Sequence, residues 1–370
     1  MYRNRKELII ATMLLISLLF SLFTIFVYSE NSPSVSAKSA TLYEPETGTF
    51  LYAKNANERL GMESTTKIMS ALIALENIEP DRLVTVDDRA VGIDGSSIYL
   101  EQGETMSAED LIYALMLNSA NDAAEALAYE ISGSVEGFCA MMNERAERLG
   151  LENTHFSNPH GLDANDHYTT AHDLAIIAAE ALKNQKFKEI SSTKKREITS
   201  NFKTRVLINH NKLLKMYDGC IGVKTGYTQM TGRSLVGAAE RDNLRLISVT
   251  IDAPNDWSDH RSLLDFGFDT VHSLKLIGER EYCASLPVLN GEAKSITVQN
   301  KEELKYIYMY NAPNITKEIR MPRYAVAPIN SGDVVGSIVF KCNDRIIAST
   351  DIIAIESVKE AKERLLDRLF

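Results

Sequence analysis

Apolar residues at Ile68, Ala71, Leu72 and Leu75 recur at the spacing of one helical face, and Ser64 stands where that helix begins; Pro80 closes it. Ahead of it, Ala40-Thr41-Leu42-Tyr43 and Thr49-Phe50-Leu51-Tyr52 flank Glu44-Pro45-Glu46-Thr47-Gly48, whose turn chemistry predicts a hairpin. Val84-Thr85-Val86 is a short strand and Gly92 to Gly103 a glycine- and serine-bearing loop. Helices follow from Ser107 to about Leu117 and from Asp122 to about Ile131, broken by Asn118-Ser119-Ala120-Asn121. Another runs from Val135 to Leu149 and stops at Gly150, the usual C-terminal residue. Asn153 to Tyr168, with Pro159, Gly161 and two histidines, is an irregular loop, and Ala171 to Leu182 is helical again.

From Glu197 the period changes to that of strands, at 205–208, 222–226, 234–239 and 245–250, before a helix at His260 to Phe266. Strands at both ends with helices between them predict an α+β domain: an antiparallel sheet flanked by helices, with a helical lobe inserted in the middle. After about residue 273, short alternating runs separated by Asn, Gly and Pro predict a small all-β domain over 273–356. In 357–370, Val358, Ala361, Leu365, Leu369 and Phe370 fall on one helical face among four basic residues. That predicts a terminal amphipathic helix, packed on its own domain or lying on a membrane surface.

The N-terminus supplies an address. Arg3, Arg5 and Lys6 precede about 21 uncharged residues, Leu8 to Tyr28, enough to span a bilayer core. The basic flank places the short N-terminal side in the cytoplasm. Residues 1–30 therefore read as an anchor, with cleavage after Ser29 as the alternative, and the body (from 31 on) works on the extracytoplasmic face of the membrane. A net charge of −10 argues against general nucleic-acid binding. The four cysteines, Cys139, Cys220, Cys283 and Cys342, show neither metal spacing nor a disulfide framework.

Chemistry begins with Ser64 and Lys67, neighbours one turn apart on one helix face. A lysine held neutral by packing and by the positive helix start can take the serine's proton. Ser-x-x-Lys also occurs at Ser191 and Ser192, but within a polar, basic run that reads as solvated loop or strand edge. Ser119-Ala120-Asn121 and Lys224-Thr225-Gly226 complete an ordered trio known from penicillin-binding proteins and class A β-lactamases.

From about Ser39 to Phe268 the chain resembles the low-molecular-mass penicillin-binding D-alanyl-D-alanine carboxypeptidases, peptidase family S11. The residues carrying the resemblance are Tyr43 to Gly48, Leu51 to Asn55, Ser64 to Met69, Ser119 to Ala124, Asn158-Pro159-His160-Gly161-Leu162, Asn209 to Leu214 and Gly222 to Thr228. The resemblance implies a β-lactamase/transpeptidase-like catalytic domain over 31–272, and the β-rich domain after it is what that family carries. It implies removal of the terminal D-alanine from peptidoglycan stem pentapeptides through an acyl-enzyme on Ser64, with β-lactams as covalent inhibitors.

In that reading Lys67 takes the hydroxyl proton, Ser119 relays a proton to the leaving amine, and Asn121 holds Lys67 and the substrate backbone. Lys224 and Thr225 meet the substrate carboxylate, and Gly226 lets substrate lie along the strand edge. By resemblance, the N–H groups of Ser64 and Tyr227 form the oxyanion hole. His160 reads as a loop-structuring residue. No metal ion or organic cofactor is implied.

Rival readings differ by class. Class A β-lactamases usually have Asp in place of Ala120, and no Glu-x-x-Leu-Asn segment lies between the second and third motifs. A DD-endopeptidase would use the same motifs. A non-catalytic penicillin-binding wall sensor would keep the fold but lose a polar group, whereas all three motifs are intact.

Overall fold

The computed structural model describes residues 32–242, 244–309 and 312–361. The chain divides between Asp269 and Thr270 into two units. The first is built on a five-stranded antiparallel sheet. Its strands are β1 (Ser39–Glu44), β2 (Thr49–Lys54), β7 (Cys220–Thr228), β8 (Gly232–Arg241) and β9 (Leu244–Ile251), in the order β2-β1-β9-β8-β7. Strand β1 is buried along its whole length because the sheet is covered on both faces.

Side chains alternate along β9 and set the two layers. Ile247, Val249 and Ile251 join a core with helix α1 (Lys67–Asn77) and helix α5 (Ala171–Ala181). On the other face lies α7 (Asp256–Thr270), whose Gly267 lets the helix approach Leu42 and Leu246. His260 of α7 sits between Ser248 Oγ (2.7 Å) and Thr250 Oγ1 (2.9 Å). Burial pushes its imidazole down to about 3, so it is a neutral core residue.

Helix α1 is buried from Lys67 to Ala74, on every side of its first two turns. Such a helix belongs to a core rather than a surface. Each fully buried Ile or Leu there contributes about 1.5–3 kcal/mol relative to exposure. Ser64 lies just ahead of it in a 3₁₀ turn, Glu63–Thr66, so the predicted helix start is a tight turn opening into the α-helix.

The inserted lobe contains α2 (Ala108–Leu117), α3 (Asn121–Ser132) and α4 (Val135–Arg148). Two small hairpins flank it, β3 (Leu83–Thr85) with β4 (Thr105–Ser107) and β5 (Lys195–Thr199) with β6 (Thr204–Ile208). The expectation of a solvated loop or strand edge over 191–196 holds from Lys194, exposed ahead of β5, but is corrected at Ser191. Ser191 is buried near the end of α6 (Gln185–Ser192), and its hydroxyl donates to the Ile221 carbonyl. Phe187 and Ile190, both buried, supply the apolar face that makes this segment a helix.

Among the described residues the second unit is all β. Strands β10 (Val271–Ile277) and β13 (Leu304–Met309) pair with each other. The remaining six form one sheet: β11 (Cys283–Leu289), β12 (Ser295–Asn300), β14 (Ile315–Arg320), β15 (Ala325–Val326), β16 (Val334–Cys342) and β17 (Arg345–Ala354). Leu286, Ile296, Val298, Ile338, Phe340 and Ile352 fill its core.

The predicted terminal helix does not begin at Val358. Residues 358–361 are extended, with Val358 exchanging main-chain hydrogen bonds with Ile329 and the Ala361 N–H bonded to the Asn290 carbonyl. Val358 is buried in the β-domain core, which outweighs the helical spacing of its neighbours. The rest of that helix and the N-terminal anchor segment lie outside the described residues. Among the described residues, no helix is long and apolar enough to cross a membrane.

Candidate active site

Four of the helices begin with a side-chain cap: Ser107 for α2, Ser134 for α4, Thr170 for α5 and Asn184 for α6. The turn that carries Ser64 has none, because its flanking residue is Met62. An uncapped start leaves first-turn N–H groups open to a ligand. Ser64 itself is partly exposed, whereas its neighbours Glu63, Thr65, Thr66 and Lys67 are buried.

Lys67 is fully buried, and its Nζ is surrounded by oxygens. It lies 3.1 Å from Ser64 Oγ and 2.7 Å from Asn121 Oδ1, and it also meets the main-chain carbonyl of His160. Burial first, then the charge of Lys224, pushes its amine well below the usual lysine range. The amide oxygen and the carbonyl can only accept. A neutral Lys67 therefore spends its two N–H bonds on Asn121 and His160, and its lone pair faces the Ser64 hydroxyl.

Asn121 opens helix α3, so the lobe contributes directly to this cluster. Its Nδ2 donates to the Asp94 carbonyl, tying the amide to the 92–103 loop. Next to it, Asp122 accepts from the Ile98 and Leu100 N–H groups and from the Ser97 hydroxyl. That carboxylate, unremarked in the sequence, holds the loop against the site.

Ser119 adopts a left-handed backbone (φ 59°) in the break between α2 and α3. Its hydroxyl accepts from Lys224 Nζ at 3.1 Å. Lys224 is also buried, on β7, and burial pushes its amine down to about 7. Beside it, Thr225 is partly exposed and Gly226 buried, while Tyr227 is exposed. A Cβ placed on Gly226 would come 3.4 Å from Ser64 N and 3.1 Å from Glu63 Cβ. All eight sequence candidates thus fall around one spot, where the helix start, the lobe and strand β7 meet.

The 153–168 loop forms the floor. Ser70 Oγ donates to the Pro159 carbonyl, Thr66 Oγ1 bonds His167 Nε2 at 2.7 Å, and the His160 carbonyl serves Lys67. The His160 ring turns away: Nδ1 accepts from the Leu162 N–H and Nε2 faces Glu125 at 3.3 Å. The ring is thus a structural element of the loop, and sequence reading missed that its carbonyl is the working group. Arg233 of β8, opposite Tyr227, pairs with Asp256 at 2.9 Å.

Comparison with known proteins gives the same direction. The family model for D-alanyl-D-alanine carboxypeptidases, peptidase S11, matches residues 27–255, and that for the C-terminal domain of penicillin-binding protein 5 matches 273–360. The chain is 35% identical to the D-alanyl-D-alanine carboxypeptidase DacF of Bacillus subtilis, covering 88% of this chain and 86% of that protein. It is 34% identical to DacC of Escherichia coli, over 89% and 86% of the two chains. Among solved structures, penicillin-binding protein 5 of Haemophilus influenzae superposes with a TM-score of 0.73 at 29% identity, over 89% of this chain and 99% of that one. Ser-x-x-Lys, Ser-x-Asn and Lys-Thr-Gly converge on one cleft within the matched span, and the chain belongs to the D-alanyl-D-alanine carboxypeptidases of peptidase family S11.

Proposed function

We propose that the chain hydrolyses the terminal D-Ala-D-Ala bond of peptidoglycan stem pentapeptides by way of an ester on Ser64. The observation that carries this reading is the buried Lys67, whose two acceptors leave its lone pair to Ser64 Oγ. In the forward step the Ser64 proton moves to Lys67 Nζ while Oγ bonds to the carbonyl carbon of the penultimate D-alanine. The uncapped Ser64 N–H, with that of Tyr227, faces the developing oxyanion. The C–N bond breaks as the leaving amine takes a proton from Lys67, with Ser119 as relay, and free D-alanine departs. Water then adds to the ester carbonyl, Lys67 takes its proton, and the truncated peptide leaves as Ser64 is restored.

Lys224 and Thr225 would receive the substrate's terminal carboxylate, and an incoming anion would favour the charged form of a lysine otherwise poised near neutrality. β-Lactams would acylate the same serine. The polar leader and apolar run before residue 31 support an extracytoplasmic, membrane-attached site of action.

The test is release of D-alanine from a stem pentapeptide ending in D-Ala-D-Ala, beside a Ser64→Ala control. Release that the substitution abolishes is the expected result. Penicillin labelling at Ser64 without any release would favour a wall sensor, and absence of both would refute the assignment of the nucleophile.

A further inference from the structure

Glu63, immediately before the nucleophile, has no part in the chemistry above. Its carboxyl is nonetheless among the most enclosed in the protein. The residue is 1% exposed, and among the described residues neither its carboxyl oxygens nor the buried Ser234 hydroxyl on β8 makes a hydrogen bond of good geometry, although the Ser234 and Thr231 hydroxyls lie close to the carboxyl. Two glycines make room for this one residue. A Cβ on Gly161 would strike the Glu63 carbonyl oxygen, and a Cβ on Gly226 would lie 3.2 Å from Glu63 Oε2. Glu63 itself has a left-handed backbone (φ 43°), which a non-glycine residue adopts only where its surroundings hold it there. The chain thus bends sharply here, with the Glu63 main-chain carbonyl against Gly161 of the floor loop and its carboxyl against Gly226 of β7.

We propose that Glu63 is a positioning residue for acylation: as a neutral acid, its main chain against Gly161 and its carboxyl against Gly226, it seats the Ser64 N–H beside the Lys224-Thr225-Gly226 strand, and as a carboxylate it opposes the negative charge that develops there. The point beside Gly226 that lies 3.2 Å from the carboxyl oxygen also lies 3.4 Å from Ser64 N, so the two groups are neighbours.

The surroundings favour the neutral form. Burial is the main cause and pushes the carboxyl up to about 8; the hydroxyls of Ser234 and Thr231 pull the other way, and the carboxylates of Asp163, on the floor loop, and Asp252, after β9, push it further up. Of the other titratable groups nearby, His160 and His167 of the floor loop are both shifted down by burial, His167 to about 4, and so are neutral. Lys67 and Lys224 direct their Nζ atoms toward Asn121 and Ser119. A cleft of about 400 Å³, lined by Glu63, Arg59, Gly161, Asp163, Met230 and Thr231, brings solvent up to this side of the residue.

This role rests on the acyl-enzyme reading, and the experiment separates the two. The rate of Ser64 acylation by a fluorescent penicillin is measured from about pH 5 to pH 10 for the full chain and for Glu63→Gln and Glu63→Ala. The alkaline loss shared by all three reflects Lys224, so only the difference between profiles reports on Glu63. The ratio of the rate at about pH 9.5 to that at about pH 6.5 is expected to be at least about tenfold higher in both variants, as removal of one nearby like charge predicts. In parallel, the Tm of Glu63→Gln relative to wild type is expected to rise between about pH 4.5 and pH 8 and then level off. Superimposable pH profiles in an active wild type overturn the role alone, as does a flat Tm difference. Absence of acylation in wild type at every pH overturns the acyl-enzyme reading and this role together. If Glu63→Gln fails to fold, Glu63→Ala carries the same comparison.

Discussion

Lys224 Nζ donates a hydrogen bond to Ser119 Oγ at 3.1 Å, across 105 residues of sequence. The lysine comes from the sheet and the serine from a left-handed break between two lobe helices. Both are buried, so this contact fixes the width of the cleft between lobe and strand. On the opposite wall Lys67 reaches Asn121 in the same way. Two buried lysines thus bridge the same two bodies, and each lacks a carboxylate partner. Burial of unpaired ammonium groups lowers both proton affinities, which is what proton transfer at neutral pH requires.

Lys67→Arg is expected to be as inactive as Lys67→Met. A guanidinium keeps its proton at all working pH values and cannot accept one from Ser64. Loss of a positioned general base lowers the acylation rate by about 10²–10⁴-fold. Stopped-flow acylation by a chromogenic β-lactam measures it; near-wild-type rates in the arginine variant would show that Lys67 is not the base.

Asn121→Asp tests the neutral state of that lysine. A carboxylate at the position of Oδ1 would favour charged Lys67, so the acid limb of kcat/KM is expected to move to higher pH. The same change replaces the amide N–H that serves the Asp94 carbonyl, loosening the 92–103 loop. A pH–rate profile with an unmoved acid limb would refute the coupling.

Lys224→Met is expected to bind substrate poorly yet make the fold more stable at neutral and acid pH. The folded state holds the Lys224 amine at about 7, below its ordinary value of 10.5, so folding releases protons between these limits. Stability therefore rises with pH through that window, and below about 7 the whole cost of burying the charge is carried. The methionine variant escapes that cost, so its Tm advantage is largest below about pH 7 and fades toward pH 10. A Tm difference independent of pH would contradict the assignment.

Gly161→Ala is expected to destabilise the protein by about 3 kcal/mol or more. The position has φ +93°, and its Cβ would overlap the Glu63 carbonyl. Because that carbonyl belongs to the residue before the nucleophile, acylation should slow even in molecules that fold. Urea unfolding and a penicillin-binding assay at low temperature separate the two effects.

The sheet, the lobe and the order of the three motifs were legible in sequence because each depends on local pattern. Alternation marked β8 and β9, a 3.6-residue period marked α1, and Asn118-Ser119-Ala120-Asn121 marked a break. The segment around Ser191 misled because its polar residues hide two apolar ones, Phe187 and Ile190, that dock on a core built elsewhere. Val358 misled for the same reason in reverse: its helical spacing gives way to a main-chain pairing with Ile329, nearly thirty residues distant. Neither partner is visible to a short window.

Sequence alone determined which residues could react: a serine and a lysine one turn apart, a Ser-x-Asn break and a Lys-Thr-Gly strand. Those follow from residue chemistry and helical geometry, which are local. Tertiary structure decided what the residues are. Lys67 and Lys224 became weak bases only by being buried, and Lys67 gained a partner, the His160 carbonyl, that no side-chain pattern encodes. Glu63 became a buried acid only because two glycines, from a loop and a strand far apart in the chain, close around it. Desolvation and close approach are properties of packed neighbours, and neighbours are assigned by the fold.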